Sequence, residues 1–168
     1  MSSKFEALET EEKPYRLSVA CIFLDQKTDQ VLVGLRKDLR DEAWQFPQGG
    51  VDEGEGLEAA LYREMEEELG TRDFQILKVY PDFLNYDFPA GLRSTLAQRY
   101  KGQKQKWFLC AFHDGAGPRL EEAQDDEFRA VEWVSPEMAL KRVVSWKKSG
   151  YEKILSDFGL LASSGRRR

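Results

Sequence analysis

The first long apolar run of the chain covers residues 16–24 and has strand length; a polar turn at residues 25–30 separates it from a second run at 31–34. The two read as a hairpin-like pair of strands. Three further segments, 74–80, 106–112 and 130–134, are rich in aromatic and β-branched residues and also read as strands. Helical spacing appears at 57–69, closed by Gly70; at 135–144, opened by Ser135 as N-cap and Pro136 in the first turn; and at 151–158. Strands and helices interleave without a strict βαβ period, which predicts an α/β layered fold with a mixed sheet. At 168 residues one compact domain is expected, spanning 14–160, with flexible tails at 1–13 and 161–168.

The helix at 57–69 departs from an ordinary amphipathic pattern. At about 100° per residue, Leu57, Ala60, Leu61 and Met65 form an inward stripe. Glu64, Glu67 and Glu68 continue that stripe, whereas Glu66 points to the opposite side. Three like charges facing protein are costly unless a cation lies among them. Carboxylate oxygens suit Mg²⁺ or Mn²⁺, and Mg²⁺ commonly keeps positions for water and substrate phosphate oxygens. The glycines at 49, 50, 54 and 56 allow close backbone approach ahead of the helix N-terminus, where amides favour anions. The pattern points to phosphate chemistry assisted by metal; the competing reading is a glutamate-rich surface helix behind a flexible loop.

Composition narrows the choices. There is one histidine, His113, at a strand end before Asp114-Gly115, so triads and His-based zinc sites have little to build on. Cys21 and Cys110 sit in apolar runs with no C-x-x-C spacing and read as core thiols. With 30 acidic against 25 basic residues the net charge is −5, so no global field draws in nucleic acid, DNA is not an expected partner, and an anionic ligand must be held by local basic groups or metal. No apolar run reaches the roughly 18 residues of a membrane span, and residues 1–13 are acidic rather than signal-like, so a cytoplasmic protein without a membrane partner is expected.

Gly49, Glu55, Arg63, Glu64, Met65, Glu67, Glu68 and Gly70 match the Nudix signature G-x5-E-x7-R-E-U-x-E-E-x-G-U, where U is a bulky aliphatic residue; only its last position departs, with Thr71. The chain thus resembles the Nudix hydrolases, which implies an α/β/α sandwich around a mixed sheet, with a loop-helix-loop catalytic motif. The stretches Trp44-Gln-Phe-Pro-Gln-Gly-Gly50, Tyr86-Asp-Phe-Pro89, Gly102-Gln-Lys-Gln-Lys-Trp-Phe108, Glu127-Phe128 and Val143-Val-Ser-Trp-Lys147 look like two related groups within it. These are the bacterial RNA 5′-pyrophosphohydrolases and the plant-type asymmetrical diadenosine tetraphosphate hydrolases. The resemblance implies water attack on phosphorus in a dinucleoside polyphosphate or a 5′-triphosphate RNA end, with Mg²⁺ or Mn²⁺ held by Glu64, Glu67, Glu68 and Glu127. Glu67, Glu68 and Glu127 become the catalytic candidates, and Glu55 with Arg63 a structural ion pair. Substrate contacts are expected from Arg16, Arg36, Gly49, Gly50, Tyr86 on a loop after Pro81, Trp146 by base stacking, and Lys147.

Strand alternation puts Gln103, Gln105 and Trp107 on one face and Lys104 and Lys106 on the other, and either face could line the site; Gln103 and Gln105 are taken as the candidates. A monomer is expected. The other class in play is a catalytically silent Nudix-fold module that binds nucleotides or RNA ends.

Overall fold

The computed structural model describes residues 13–37, 43–125 and 127–162; both expected tails lie almost wholly outside them. The central strand β1, Tyr15–Asp25, pairs in parallel with β6, Gly102–Phe112, from Tyr15↔Gly102 to Phe23↔Cys110. Beyond β6 lies the long edge strand β5, Phe74–Asp87, antiparallel to it. The other side of β1 divides. Its first half pairs with β4, Gln48–Gly50, and its last two residues pair with β2, Gln30–Arg36. Strand β2 then pairs with β3, Trp44–Gln45, and with β7, Phe128–Val134. The expected hairpin is therefore tied by only two residue pairs, Leu24↔Val31 and Asp25↔Gln30, before its strands diverge.

The uninterrupted apolar run of β1 follows from burial on both faces. Val19, Cys21 and Phe23 face the helix α1, Leu57–Leu69, in a core with Leu61, Met65, Leu69, Phe108 and Cys110. Ala20 and Ile22 face the opposite way, into a core with Trp107 and Leu109. That second core is closed by α3, Pro136–Arg142, and α4, Ser145–Asp157, through Leu140, Tyr151, Ile154 and Leu155. The layers are helix, mixed sheet, helix, as the expected sandwich requires. Both cysteines are free, buried core thiols, and His113 is a half-exposed strand-end residue paired with Asp73.

Several boundaries differ from the expectation. Residues 44–50 hold two short strands rather than a continuous loop, and a short helix α2, Thr95–Arg99, lies between β5 and β6. Helix α4 begins at Ser145, six residues before its expected start, so Trp146 and Lys147 lie in its first turn. Strand β5 runs past Pro81 to Asp87, so Tyr86 is a strand residue opposite Gln103 and not a loop residue. No described helix is long and apolar enough to cross a membrane.

Candidate active site

Helix α1 carries its glutamates as the wheel requires. The Glu68 side chain is buried, Glu64 is nearly so, Glu67 is partly exposed and Glu66 is turned toward solvent. Arg63 organises the approach to this helix. It holds Glu55 by two bonds of 2.8 Å, the Gly50 carbonyl at 2.9 Å and Glu64 at 3.0 Å. The paired guanidinium keeps the Glu55 carboxyl at about 2, well below its ordinary range, and this is the structural ion pair expected from the signature.

The close backbone approach occurs at Gly49 and Gly50. A Cβ on Gly49 would lie 1.9 Å from Glu64 Oε2, and one on Gly50 would lie 2.3 Å from Arg16 Nη2. Gly54 and Gly56 face open space, so the expectation of close approach there is not met; Gly54 serves its turn, at φ +78°. Gly49 and Gly50 of β4 thus form a side-chain-free floor under one carboxylate and one guanidinium.

Carboxylate oxygens of Glu64, Glu67 and Asp125 all lie within 4.8 Å of one another. Asp125 was not in the expected set. It reads in the sequence as one of a run of acidic residues, but its N–H donates to the Glu67 carbonyl at 2.9 Å and folds the loop back onto α1. Glu127, two residues after Asp125, stands beside Glu68 and 3.8 Å from Arg36. Burial, then the Glu127 charge, pushes the Glu68 carboxyl well above its ordinary range; burial likewise raises Glu64 to about 7. By strict hydrogen-bond geometry neither Glu68 oxygen has a partner among the described residues, although the Gln48 N–H and the Glu127 carboxyl lie close enough to act on it. A buried carboxylate without full hydrogen bonds, beside Glu64 and Glu127 and next to the Glu64–Glu67–Asp125 cluster, fits a hard divalent cation with oxygen ligands.

Basic and aromatic side chains adjoin these carboxylates. Arg16 and Arg36 act electrostatically on the buried Tyr86 hydroxyl, whose pKa is raised chiefly by burial. Lys147, expected as a substrate contact, is buried; its Nζ donates to Gln45 Oε1 at 3.2 Å, and burial lowers it to about 8. The Tyr86 and Trp146 rings lie 5.4 Å apart, with Phe88 6.2 Å from Trp146 and the Lys147 ammonium 5.2 Å from the Trp146 ring. Tyr86, Trp146, Lys147 and Gln105 line a cavity of about 250 Å³ between β5 and α4.

The face question on β6 is resolved by register. Gln103, Gln105 and Trp107 are buried on the Tyr86 side, with Gln105 bonded to Gln48. Lys104 and Lys106 lie on the reverse, 4.8 and 5.1 Å from the Phe83 ring. Besides Asp125, sequence reasoning left Gln45 and Gln48 out of the site, although both fall in the glycine-rich stretch it singled out.

A NUDIX domain profile matches residues 14–154. Two curated relatives are RNA pyrophosphohydrolases. That of Gluconobacter oxydans is 37% identical over 92% of this chain and 91% of its own, and that of Zymomonas mobilis is 39% identical over 86% and 94%. The solved structure of a C. elegans Ap4A hydrolase binary complex superposes with a TM-score of 0.60 at 17% identity, covering 84% of this chain and 98% of that one, which is a likeness of fold. The chain belongs to the NUDIX domain family, as a divalent-metal-dependent hydrolase of phosphorus-containing anhydrides.

Proposed function

We propose that this protein is an RNA 5′-pyrophosphohydrolase that releases pyrophosphate from triphosphate-ended RNA, working in the cytoplasm as a monomer with Mg²⁺. The observation that carries the reading is Glu68, buried beside the Glu127 and Glu64 carboxylates and next to the Glu64–Glu67–Asp125 cluster, with Arg16, Arg36 and Lys147 acting on the same acids. The names of the relatives, at 37% and 39% identity over nearly the whole length, support RNA over a dinucleotide as the substrate.

Glu64, Glu67, Glu68, Asp125 and Glu127 would hold the ion. When bound, Mg²⁺ supplies charge neutralisation at phosphoryl oxygens and acidifies water. The side chains do the rest. Arg16, Arg36 and Lys147 take the phosphate oxygens as charge-assisted donors. Trp146 and Tyr86 offer ring faces to a base near the 5′ end. Glu127 Oε accepts the proton of the attacking water, and Arg36, 3.8 Å away, steadies that carboxylate.

The test is pyrophosphate release with Mg²⁺ from 5′-triphosphate RNA, beside ATP and AMP formation from diadenosine tetraphosphate. A higher kcat/KM on the RNA is expected. Preference for the dinucleotide overturns the substrate, and inactivity on both overturns the enzymatic reading.

A further inference from the structure

Two buried side chains of α4, one helical turn apart, reach two consecutive residues of the chain that leads into the glycine floor. Lys147 Nζ donates to Gln45 Oε1 at 3.2 Å, and the Phe46 N–H donates to the Tyr151 hydroxyl oxygen at 3.0 Å. The Tyr151 ring tilts against Phe46 at 4.7 Å and meets Trp107 edge-on at 5.5 Å. Phe46 lies in the gap between β3 and β4, where the strand ladder is interrupted. The next carbonyl, that of Pro47, is fixed by the Cys21 N–H at 3.0 Å, and then come Gly49 and Gly50, on which Glu64 and Arg16 rest without clearance for a methyl group.

A rigid ribbon held at its entry and touching two functional side chains at its exit transmits position. The packing is too tight for it to move without displacing them. Trp146 lies next to Lys147 in the first turn of the same helix. We infer that Tyr151 is a positioning residue, and that α4 uses Tyr151 and Lys147 to set the Gln45–Gly50 ribbon, so that the helix offering the stacking ring also places Glu64 and Arg16. A substrate base seated on Trp146 is thereby held in register with the carboxylates. The inference rests on the reading of Glu64 as a metal ligand and Arg16 as a phosphate contact, and deepens it.

The experiment compares Tyr151→Phe with Ile154→Val. The first keeps the ring and leaves the Phe46 N–H without its acceptor; the second thins the same core from the same helix at a residue that is fully buried. Gln45→Leu, which releases the Lys147 grip and keeps the tyrosine, is the second test variant. Each is measured for thermal midpoint, for Mg²⁺ affinity by calorimetry without substrate, and for kcat and KM on triphosphate RNA. Tyr151→Phe and Gln45→Leu should weaken Mg²⁺ binding several-fold and lower kcat about tenfold, the scale of a small misplacement of reacting groups. Ile154→Val should lower the midpoint and leave both quantities within about twofold, as expected of a packing change away from the ribbon. Unchanged Mg²⁺ affinity in Tyr151→Phe, or equal losses in Ile154→Val, overturns the inference. The calorimetric result stands whether or not RNA is the substrate, so failure of the RNA reading is seen separately, as wild-type inactivity.

Discussion

Glu68→Gln should make the metal-free protein more stable and the enzyme nearly inactive, two effects of opposite sign from one atom change. The side chain is 1% exposed, neither oxygen has a hydrogen-bond partner among the described residues, and the Glu127 and Glu64 carboxylates stand beside it. Without a cation the folded protein must either keep a proton on Glu68 or bear a buried like-charge contact. A glutamine keeps the shape and removes the charge. Removing the buried charge lifts that penalty, and a gain of about 1–2 kcal/mol is expected, limited because an amide also lacks partners at this position. For a domain of this size that is a rise of roughly 2–8 °C in thermal midpoint, measured in chelator near pH 8. Saturating Mg²⁺ reverses the order: an ion at a hundred times its dissociation constant stabilises the wild type by about 2.7 kcal/mol, and the variant gains less. Turnover should fall about 10²–10³-fold, the usual scale for losing one electrostatic partner of a phosphoryl transition state. The checks are melts with chelator and with Mg²⁺, together with pyrophosphate release. A variant less stable than wild type in chelator would show that Glu68 is held by partners of the protein itself, and activity within tenfold of wild type would remove it from the metal site.

Gly49→Ala places a methyl carbon on the flexible end of Glu64, so the fold should survive while the carboxylate is displaced; kcat should drop at least about tenfold with a raised Mg²⁺ requirement, and unchanged kinetics would refute the close contact. Trp146→Ala should raise KM roughly fivefold to 150-fold, the worth of one base stack, with little change in thermal midpoint; an unchanged KM with a large fall in midpoint would make it a packing residue. In chelator, stability should fall as pH rises from 5 to 7.5, because Glu64, raised by burial from 4.5 to about 7, keeps in the folded state a proton that the unfolded chain has already lost. The size is up to about 3 kcal/mol, at 1.36 kcal/mol per pH unit. Glu55 contributes with the opposite sign but only below its ordinary range, toward about 2, and Lys147 changes charge only near 8, so neither masks the trend; a midpoint that rises across this window refutes it.

What the sequence makes legible is whatever depends on one element. The wheel of α1 is local, so the inward Glu64, Glu67 and Glu68 and the outward Glu66 follow from spacing alone, and the signature adds the Glu55–Arg63 pair. What it hides depends on how elements meet. Pro81 reads as the end of a strand, yet β5 is an edge strand, where a proline costs no ladder bond on the solvent side. Its irregularities at Ile76/Lys78 and Val79/Phe83 then shift the alternation before Tyr86 turns inward. Gln103 and Lys104 are indistinguishable until β1 and β5 set the register of β6. Lys147 beside Lys148 has the look of solvated charge, and only the early start of α4 sends one of them into the interior. Asp125 needs a loop to fold back onto the Glu67 carbonyl, for which an acidic run gives no signal.

The distribution of charge explains how a chain of net charge −5 can hold a polyanion. Exposed charges farther apart than the screening length, about 8 Å at physiological salt, contribute little, whereas buried and half-buried groups within a few ångströms are hardly screened. The acids that matter are concentrated on α1 and at Asp125 and Glu127, where an ion would convert them from a barrier to phosphate into its anchor. The bases that matter are few and placed: Arg16 against Gly50, Arg36 against Glu127, Lys147 against Gln45. Among the described residues this arrangement suits a compact, highly charged phosphate chain at one point better than the length of a backbone. On the proposed reading it selects an end, and the neighbouring Tyr86 and Trp146 rings would add recognition of the base that an end carries.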